Sequence, residues 1–307
     1  TNTTAWSLAV SPDGKWIATG GFLVINNEEA TKNVRMHNAS TGELMYSIGG
    51  HSDWVTGIRF HPDGKLFATC SADRLIKVWE SEAGTLVATL TGHALGVMSI
   101  DFNADGSQLV SCGQDGQLKL WDFGTRECTA SWDFLPGQGT PVSSVRFSPS
   151  GESIASGGYD GSVRIWDTAT RQQKLEYKQH ESYVSSLCFI DESRLVSGGE
   201  DGSSRQWNLD TNLLEAAFEQ HKDGVLGVAS VPNRKLVATC GADNRIRLWN
   251  SDNHRLHREL VGHEGMVCSI AASPDGRWLY SSSYDQTIRS WALSQSNQPV
   301  VIVPPHS

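Results

Sequence analysis

Residues 51–80 read HSDWVTGIRFHPDGKLFATCSADRLIKVWE. Three short apolar runs, Val55 to Phe60, Leu66 to Cys70 and Leu75 to Trp79, are separated by the turns His61-Pro62-Asp63-Gly64 and Ser71-Ala72-Asp73-Arg74. A fourth run, Leu86 to Leu90, follows the loop Glu82-Ala83-Gly84. Strands of about five residues broken by Pro, Asp and Gly turns make an antiparallel meander. Helical spacing never persists here for about ten residues.

The same unit recurs in both directions. Trp79, Trp121, Trp166, Trp207, Trp249 and Trp291 are spaced by 42, 45, 41, 42 and 42 residues. Stepping back 42 from Trp79 lands on His37, inside Val34-Arg35-Met36-His37-Asn38, a degenerate seventh copy. A 307-residue chain suggests about two domains on length alone. Seven copies of one unit override that and predict a single all-β domain, a seven-bladed β-propeller with four antiparallel strands per blade. Radial closure spares such a row of sheets its exposed edges. The blades are expected at about 1–50, 51–92, 93–135, 136–179, 180–220, 221–262 and 263–307. Residues 1–4 are too few for a strand ahead of Ala5-Trp6-Ser7-Leu8-Ala9-Val10, so the last blade should be completed by Pro299-Val300-Val301-Ile302-Val303, with blades one and seven joined by side-chain packing alone.

At this spacing the chain resembles the WD-repeat (WD40) family. Gly50-His51, Gly92-His93 and Gly262-His263 look like its Gly-His marker, Trp121-Asp122 and Trp166-Asp167 like its Trp-Asp ending. The resemblance implies a tetrad in each blade: His before the first strand, Ser or Thr ten residues before the Trp, and Asp six before it. Five sets match: His51, Thr69, Asp73, Trp79; His93, Ser111, Asp115, Trp121; His180, Ser197, Asp201, Trp207; His221, Thr239, Asp243, Trp249; and His263, Ser281, Asp285, Trp291. The fourth blade keeps Ser156, Asp160 and Trp166 but has Pro136-Gly137-Gln138-Gly139-Thr140 where the His belongs, and the first blade lacks the set. Five repetitions mark these Ser, His and Asp residues as structural rather than catalytic, and no G-x-S-x-G elbow is present.

Composition narrows the function. Apolar residues are 38%, charged residues 19% and the net charge −9, with no dense basic run, which argues against direct nucleic-acid binding. No signal peptide is visible and no apolar stretch has the length of a membrane span. The chain opens on Thr1 with no initiator Met, which suits a domain excised from a longer protein. Six cysteines without a CxxC pair or zinc spacing suit a reducing, cytoplasmic setting. No phosphate loop, dinucleotide fingerprint or calcium loop occurs, so no cofactor or metal is expected. Asp13, Asp63, Asp105 and Asp275 read as turn formers.

A basic residue stands two before each Trp position: Arg35, Lys77, Lys119, Arg164, Arg205, Arg247 and Arg289. Their stems are expected to lie along neighbouring sheets with the charged heads in water. By analogy with the family, two positions per blade on the face carrying the Gly-His loops, its top, meet a partner. The first holds Trp54, Gly96, Pro141, Tyr183, Gly224 and Met266; the second holds Ala72, Gln114, Tyr159, Glu200, Ala242 and Tyr284. Trp54, Tyr159, Tyr183, Met266 and Tyr284 form the candidate binding surface, with Gly96 and Gly224 leaving room for a partner's side chain; alternatively the aromatics cover their own tetrads. Blade one carries about eight extra residues around Phe22-Leu23-Val24-Ile25-Asn26-Asn27-Glu28-Glu29, either a further binding element including Phe22 or an elongated hairpin. The expectation is a monomeric scaffold for a protein or peptide segment. The alternative, a propeller hydrolase or lyase, needs acids, bases or metal ligands in the central channel. The first strands there offer Thr56, Gly57, Ser99, Ser143, Ser144, Ser185, Ser186, Gly227 and Ser269, mostly small and uncharged.

Overall fold

The computed structural model describes residues 4–21, 33–218, 221–294 and 300–303. Twenty-eight strands and no helix occur among them, and the strands form seven four-stranded antiparallel sheets, each in simple up-and-down order. The protein is a seven-bladed propeller. The first strands are Ala5–Val10, Val55–Phe60, Val97–Phe102, Val142–Phe147, Val184–Phe189, Val225–Val231 and Val267–Ala272.

Blades are held by what they share. One apolar cluster joins Ala68, Cys70, Ile76 and Val78 of blade two to Val97, Ile100, Leu109 and Trp121 of blade three, and the pattern repeats around the ring. Each sheet thus buries its faces against its neighbours, which is why one repeat cannot stand alone. The Gly of the Gly-His marker has a packing reason. A Cβ at Gly50 would run into the six-membered ring of Trp79, and one at Gly92 would press on that of Trp121.

The last blade is completed by Val300–Val303, paired with Ile288–Ala292, as the sequence predicts. Thr4 is not part of a strand, and Thr1, Asn2, Thr3 and Pro299 lie outside the described residues. Blades one and seven share Leu8, Ile17, Tyr280 and Ile288 in one cluster. The junction is not side-chain packing alone, because Leu8 N also donates to Ser269 Oγ at 3.3 Å.

In every blade the pairing of the first two strands slips by one residue at the start of the first strand. A bulge leaves one residue unpaired and re-aims its side chain. The residues so released, Trp6, Thr56, Met98, Ser143, Ser185, Leu226 and Cys268, all line the central channel.

Candidate functional site

The tetrads set the geometry of the top face. In blade two, Trp79 Nε1 donates to Thr69 Oγ1 at 2.9 Å, Thr69 Oγ1 lies 2.7 Å from His51 Nε2, and His51 Nδ1 lies 2.9 Å from Asp73 Oδ2. Read as one chain of donors, the Trp N–H feeds the hydroxyl, the hydroxyl feeds Nε2, and Nδ1–H feeds the carboxylate. Asp73 also accepts from Ser52 N and Leu75 N, at 3.0 Å each. The other four sets repeat this with His–Asp separations of 2.9, 3.0, 2.8 and 2.7 Å. All five imidazoles are buried. Burial pushes each tetrad Asp up, but the hydrogen bonds and charge of its His outweigh this and hold Asp73, Asp115, Asp201, Asp243 and Asp285 below the usual carboxylate range. Burial lowers His263, against the opposing pull of Asp285.

The fourth blade solves the loss of its His differently. A Cβ added at Gly113, Gly199 or Gly241 would press on the tetrad imidazole, whereas at Gly158 it would press on Phe134. Phe134, fully buried, fills the missing ring's place. Trp166 Nε1 still donates to Ser156 Oγ at 2.7 Å. Asp160, without a His, takes Ser162 N at 3.0 Å and Arg164 Nη2 at 3.0 Å, and the Arg164 guanidinium lies 4.0 Å over the Phe134 ring.

This corrects the expectation for the basic ring. Arg164, Arg205, Arg247 and Arg289 do not extend to water but turn onto the Asp of their own blade, at 3.0, 3.0, 2.7 and 3.7 Å. Arg164 and Arg247 are buried. The tight turn brings the i and i+4 residues side by side, and a partly desolvated pair draws the guanidinium in more strongly than a solvated one.

Six equivalent main-chain bonds join the two candidate positions of each blade from the second to the seventh. Ala72, Gln114, Tyr159, Glu200, Ala242 and Tyr284 donate their N–H to the carbonyls of Trp54, Gly96, Pro141, Tyr183, Gly224 and Met266, at 2.8–3.0 Å. The two candidate positions of each blade are thereby held together. Trp54 is 41% exposed, Tyr159 46% and Tyr284 57%, while Tyr183 and Met266 are half-buried. Tyr159 stacks on Tyr183 from the next blade at 4.8 Å. Burial, with the Glu200 carboxylate beside it, pushes the Tyr183 hydroxyl up to about 12. Phe22 and the rest of the insertion through Glu29 lie outside the described residues.

Sequence reasoning missed Trp6 and misjudged two glycines. Trp6, 36% exposed, meets Trp54 with ring centroids 6.0 Å apart. Its register, matching Thr56 one residue past the strand start, is the signal that could have found it. Gly96 and Gly224 are not bordered by open space. A Cβ at Gly224 would collide with the Glu200 carboxylate, and one at Gly96 would lie 3.0 Å from Ala72 Cα and Gln114 Oε1.

The central channel, whose lining includes Trp6, Tyr159 and Tyr183, has a volume of about 490 Å³. It is lined by the small residues read from the sequence and by Arg59 and Arg146, so it is not as uncharged as expected. Among the described residues no cluster of three His, Cys, Asp or Glu side chains is placed to hold a metal, and no helix is long and apolar enough to cross a membrane.

Comparison with known proteins assigns the family. A family described as the IFT122 first beta-propeller matches residues 4–292. The chain belongs to that family of WD-repeat propellers. Curated relatives are similar over shorter stretches. Target of rapamycin complex subunit wat1 of Schizosaccharomyces pombe is 37% identical over 75 residues, 24% of this chain and 21% of that protein. The WD repeat-containing protein sll1491 of Synechocystis is 35% identical over 74 residues, 24% and 19% of the two chains. Lissencephaly-1 homolog 1 of Paramecium tetraurelia is 38% identical over 48 residues, 16% and 12%. The chain thus matches between 12% and 21% of the length of these curated relatives.

Proposed function

We propose that this propeller is a protein-interaction scaffold that holds a peptide segment of its partner across the mouth ringed by Trp6, Trp54, Tyr159, Tyr183, Met266 and Tyr284. The observation that carries this reading is the exposure of Trp54, Tyr159 and Tyr284 at positions tied to their blades by equivalent main-chain hydrogen bonds. Large aromatics on a preorganised rim give contact area at little entropic cost and are the residues on which binding energy concentrates. The rim is drawn from different blades, so it exists only when the ring is closed. Membership in a WD-repeat family supports the scaffold role, and one relative's name makes it a subunit of a complex. Five of the six cysteines are buried free thiols, which supports a reducing, cytoplasmic setting.

The test is capture from native lysate on immobilised propeller, comparing the parent with the Trp54→Ala/Tyr159→Ala double variant. Both side chains are exposed, so melting should change by about 1 °C or less. The expected result is that the proteins retained by the parent are lost with the variant, each aromatic being worth about 2 kcal/mol or more. Retention of the same proteins by a folded double variant overturns the reading.

A further inference from the structure

The first strands place unlike residues at one level of the channel. Four residues past the strand start stand Arg59, Asp101 and Arg146 in blades two, three and four, then Cys188, Ala229, Ala271 and Ala9 in blades five, six, seven and one. One side of the channel is charged and the other is methyl-lined. Both guanidiniums turn toward the strand of blade three. Arg59 Nε donates to Asp101 Oδ1 at 3.2 Å, and Arg146 Nη1 donates to Ser99 Oγ at 3.0 Å and to the carbonyl of Val145 at 2.6 Å.

The charges do not balance. Asp101 is engaged by Arg59, and its second oxygen accepts the main-chain N–H of Phe147 at 2.9 Å. No carboxylate of the described residues forms an ion pair with Arg146; its charged neighbours are Arg59, which repels it, and Asp101, which attracts it but is itself paired with Arg59. Burial, and next the Arg59 charge, lower the Arg146 guanidinium to about 10, against the opposing pull of Asp101. One hydroxyl nearby is also unused. Ser7, Ser186 and Ser269 accept a main-chain N–H from the next blade at 3.0, 3.2 and 3.3 Å. Ser144, at the same level in blade four, makes no such bond among the described residues, and it lines the channel.

We propose that the channel binds an anionic group, a carboxylate or a phosphate, between Arg146 and Arg59, with the hydroxyls of Ser99 and Ser144 donating to it. A guanidinium offers paired donors to either oxyanion, and such charge-assisted bonds are strong where water is scarce. A partly buried cation without an ion-pair partner is costly, and a bound anion relieves that cost. A cavity of about 490 Å³ admits a small anion or one acidic side chain of an inserted segment, not a folded partner. The site is independent of the aromatic rim, and neither proposal depends on the other.

The experiment titrates the intact chain by calorimetry with three probes: inorganic phosphate, acetate and a blocked tri-glutamate peptide. Chloride holds the ionic strength constant. Saturable binding is expected for at least one probe, weakened about tenfold or more in Arg146→Gln and less in Arg146→Lys. Binding of phosphate or acetate but not the peptide assigns a free anion; tighter binding of the peptide assigns an inserted acidic side chain. If Arg146→Gln fails to fold, the Nε–Hε resonances of arginine in the parent protein serve instead, and the Arg146 signal must move with the bound probe. No saturable binding of any probe, equal binding by a folded Arg146→Gln, or an unmoved Arg146 resonance at saturation overturns the proposal.

Discussion

Replacing Asp115 by Ala isolates the energetic role of a tetrad. The carboxylate accepts from His93 Nδ1 at 2.9 Å, Ala94 N at 2.9 Å and Gln117 N at 3.1 Å. The His93 side chain is 1% exposed, so its ring N–H cannot turn to water once the acceptor is gone. A buried donor left unpaired costs about 1–3 kcal/mol, and the two main-chain donors, in an accessible loop, add little. At roughly 2 °C per kcal/mol for a chain of this size, calorimetry should show melting lowered by about 2–6 °C. Asp105→Ala is the control. Asp105 also takes a main-chain N–H, from Ser107 at 2.8 Å, but lies at the surface of an Asp-Gly turn where water replaces it. Its shift should be about 1 °C or less. A His93→Ala/Asp115→Ala cycle sharpens the test. Removing the His removes the orphaned donor, so the double variant should lose less than the sum of the singles. Equal shifts for Asp115→Ala and Asp105→Ala, or strict additivity in the cycle, would refute the tetrad argument.

Acid should unfold the propeller through the same carboxylates. Asp73, Asp115, Asp160, Asp201, Asp243 and Asp285 lie below their ordinary value of 3.8 in the folded chain, so their contribution is complete above about pH 4 and is lost as pH falls through the folded values. His263, lowered from 6.5 by burial, resists protonation when folded and begins to subtract stability below about pH 6.5. Urea midpoints between pH 7 and pH 3 should therefore fall throughout, most steeply below pH 4, and a midpoint flat from pH 4 to 3 contradicts this. Phe134→Ala should cost about 3–5 kcal/mol by opening a cavity where the other blades keep an imidazole, and should leave Arg164 without its ring. A loss below about 1 kcal/mol in denaturant titration would mean that Phe134 does not fill that place.

The fold was legible because it is repeated. A single Trp at position 79 says little, but six at nearly constant spacing set the register, and at that register the family resemblance implies the hydrogen-bond chain of His51, Thr69, Asp73 and Trp79 that the structure shows. Where the repeat breaks, reading failed for identifiable reasons. Phe134 stands two residues before the loop that replaces the fourth-blade His, so its role depends on the path of the backbone rather than on spacing. The inward turn of Arg164 and Arg247 depends on an ion pair across a tight turn, which competes with solvation by an amount that composition does not reveal. Gly224 looked like open space because its neighbour's conformation was unknown, and Glu200 occupies it.

The channel carries the same lesson further. Its walls are built from positions that the repeat makes equivalent, and equivalence predicts similar side chains at each level. Serine or glycine does stand two past the strand start in all seven blades: Ser7, Gly57, Ser99, Ser144, Ser186, Gly227 and Ser269. Two residues further on, the sequence departs from symmetry, with Arg59 and Arg146 lining one side of the channel, Asp101 at the equivalent position between them, and Ala229, Ala271 and Ala9 lining the other. Close packing around the ring requires only that this level not be overfilled, a condition that alanine meets at lower cost than a partly buried guanidinium. Packing therefore does not account for the departure. Asp101 supplies part of the answer, since it ties Arg59 of blade two to Phe147 N of blade four through blade three. That clasp takes no ion pair from Arg146, whose own bonds are to neutral oxygens, the Ser99 hydroxyl and the Val145 carbonyl, so its charge is the one left without a carboxylate partner.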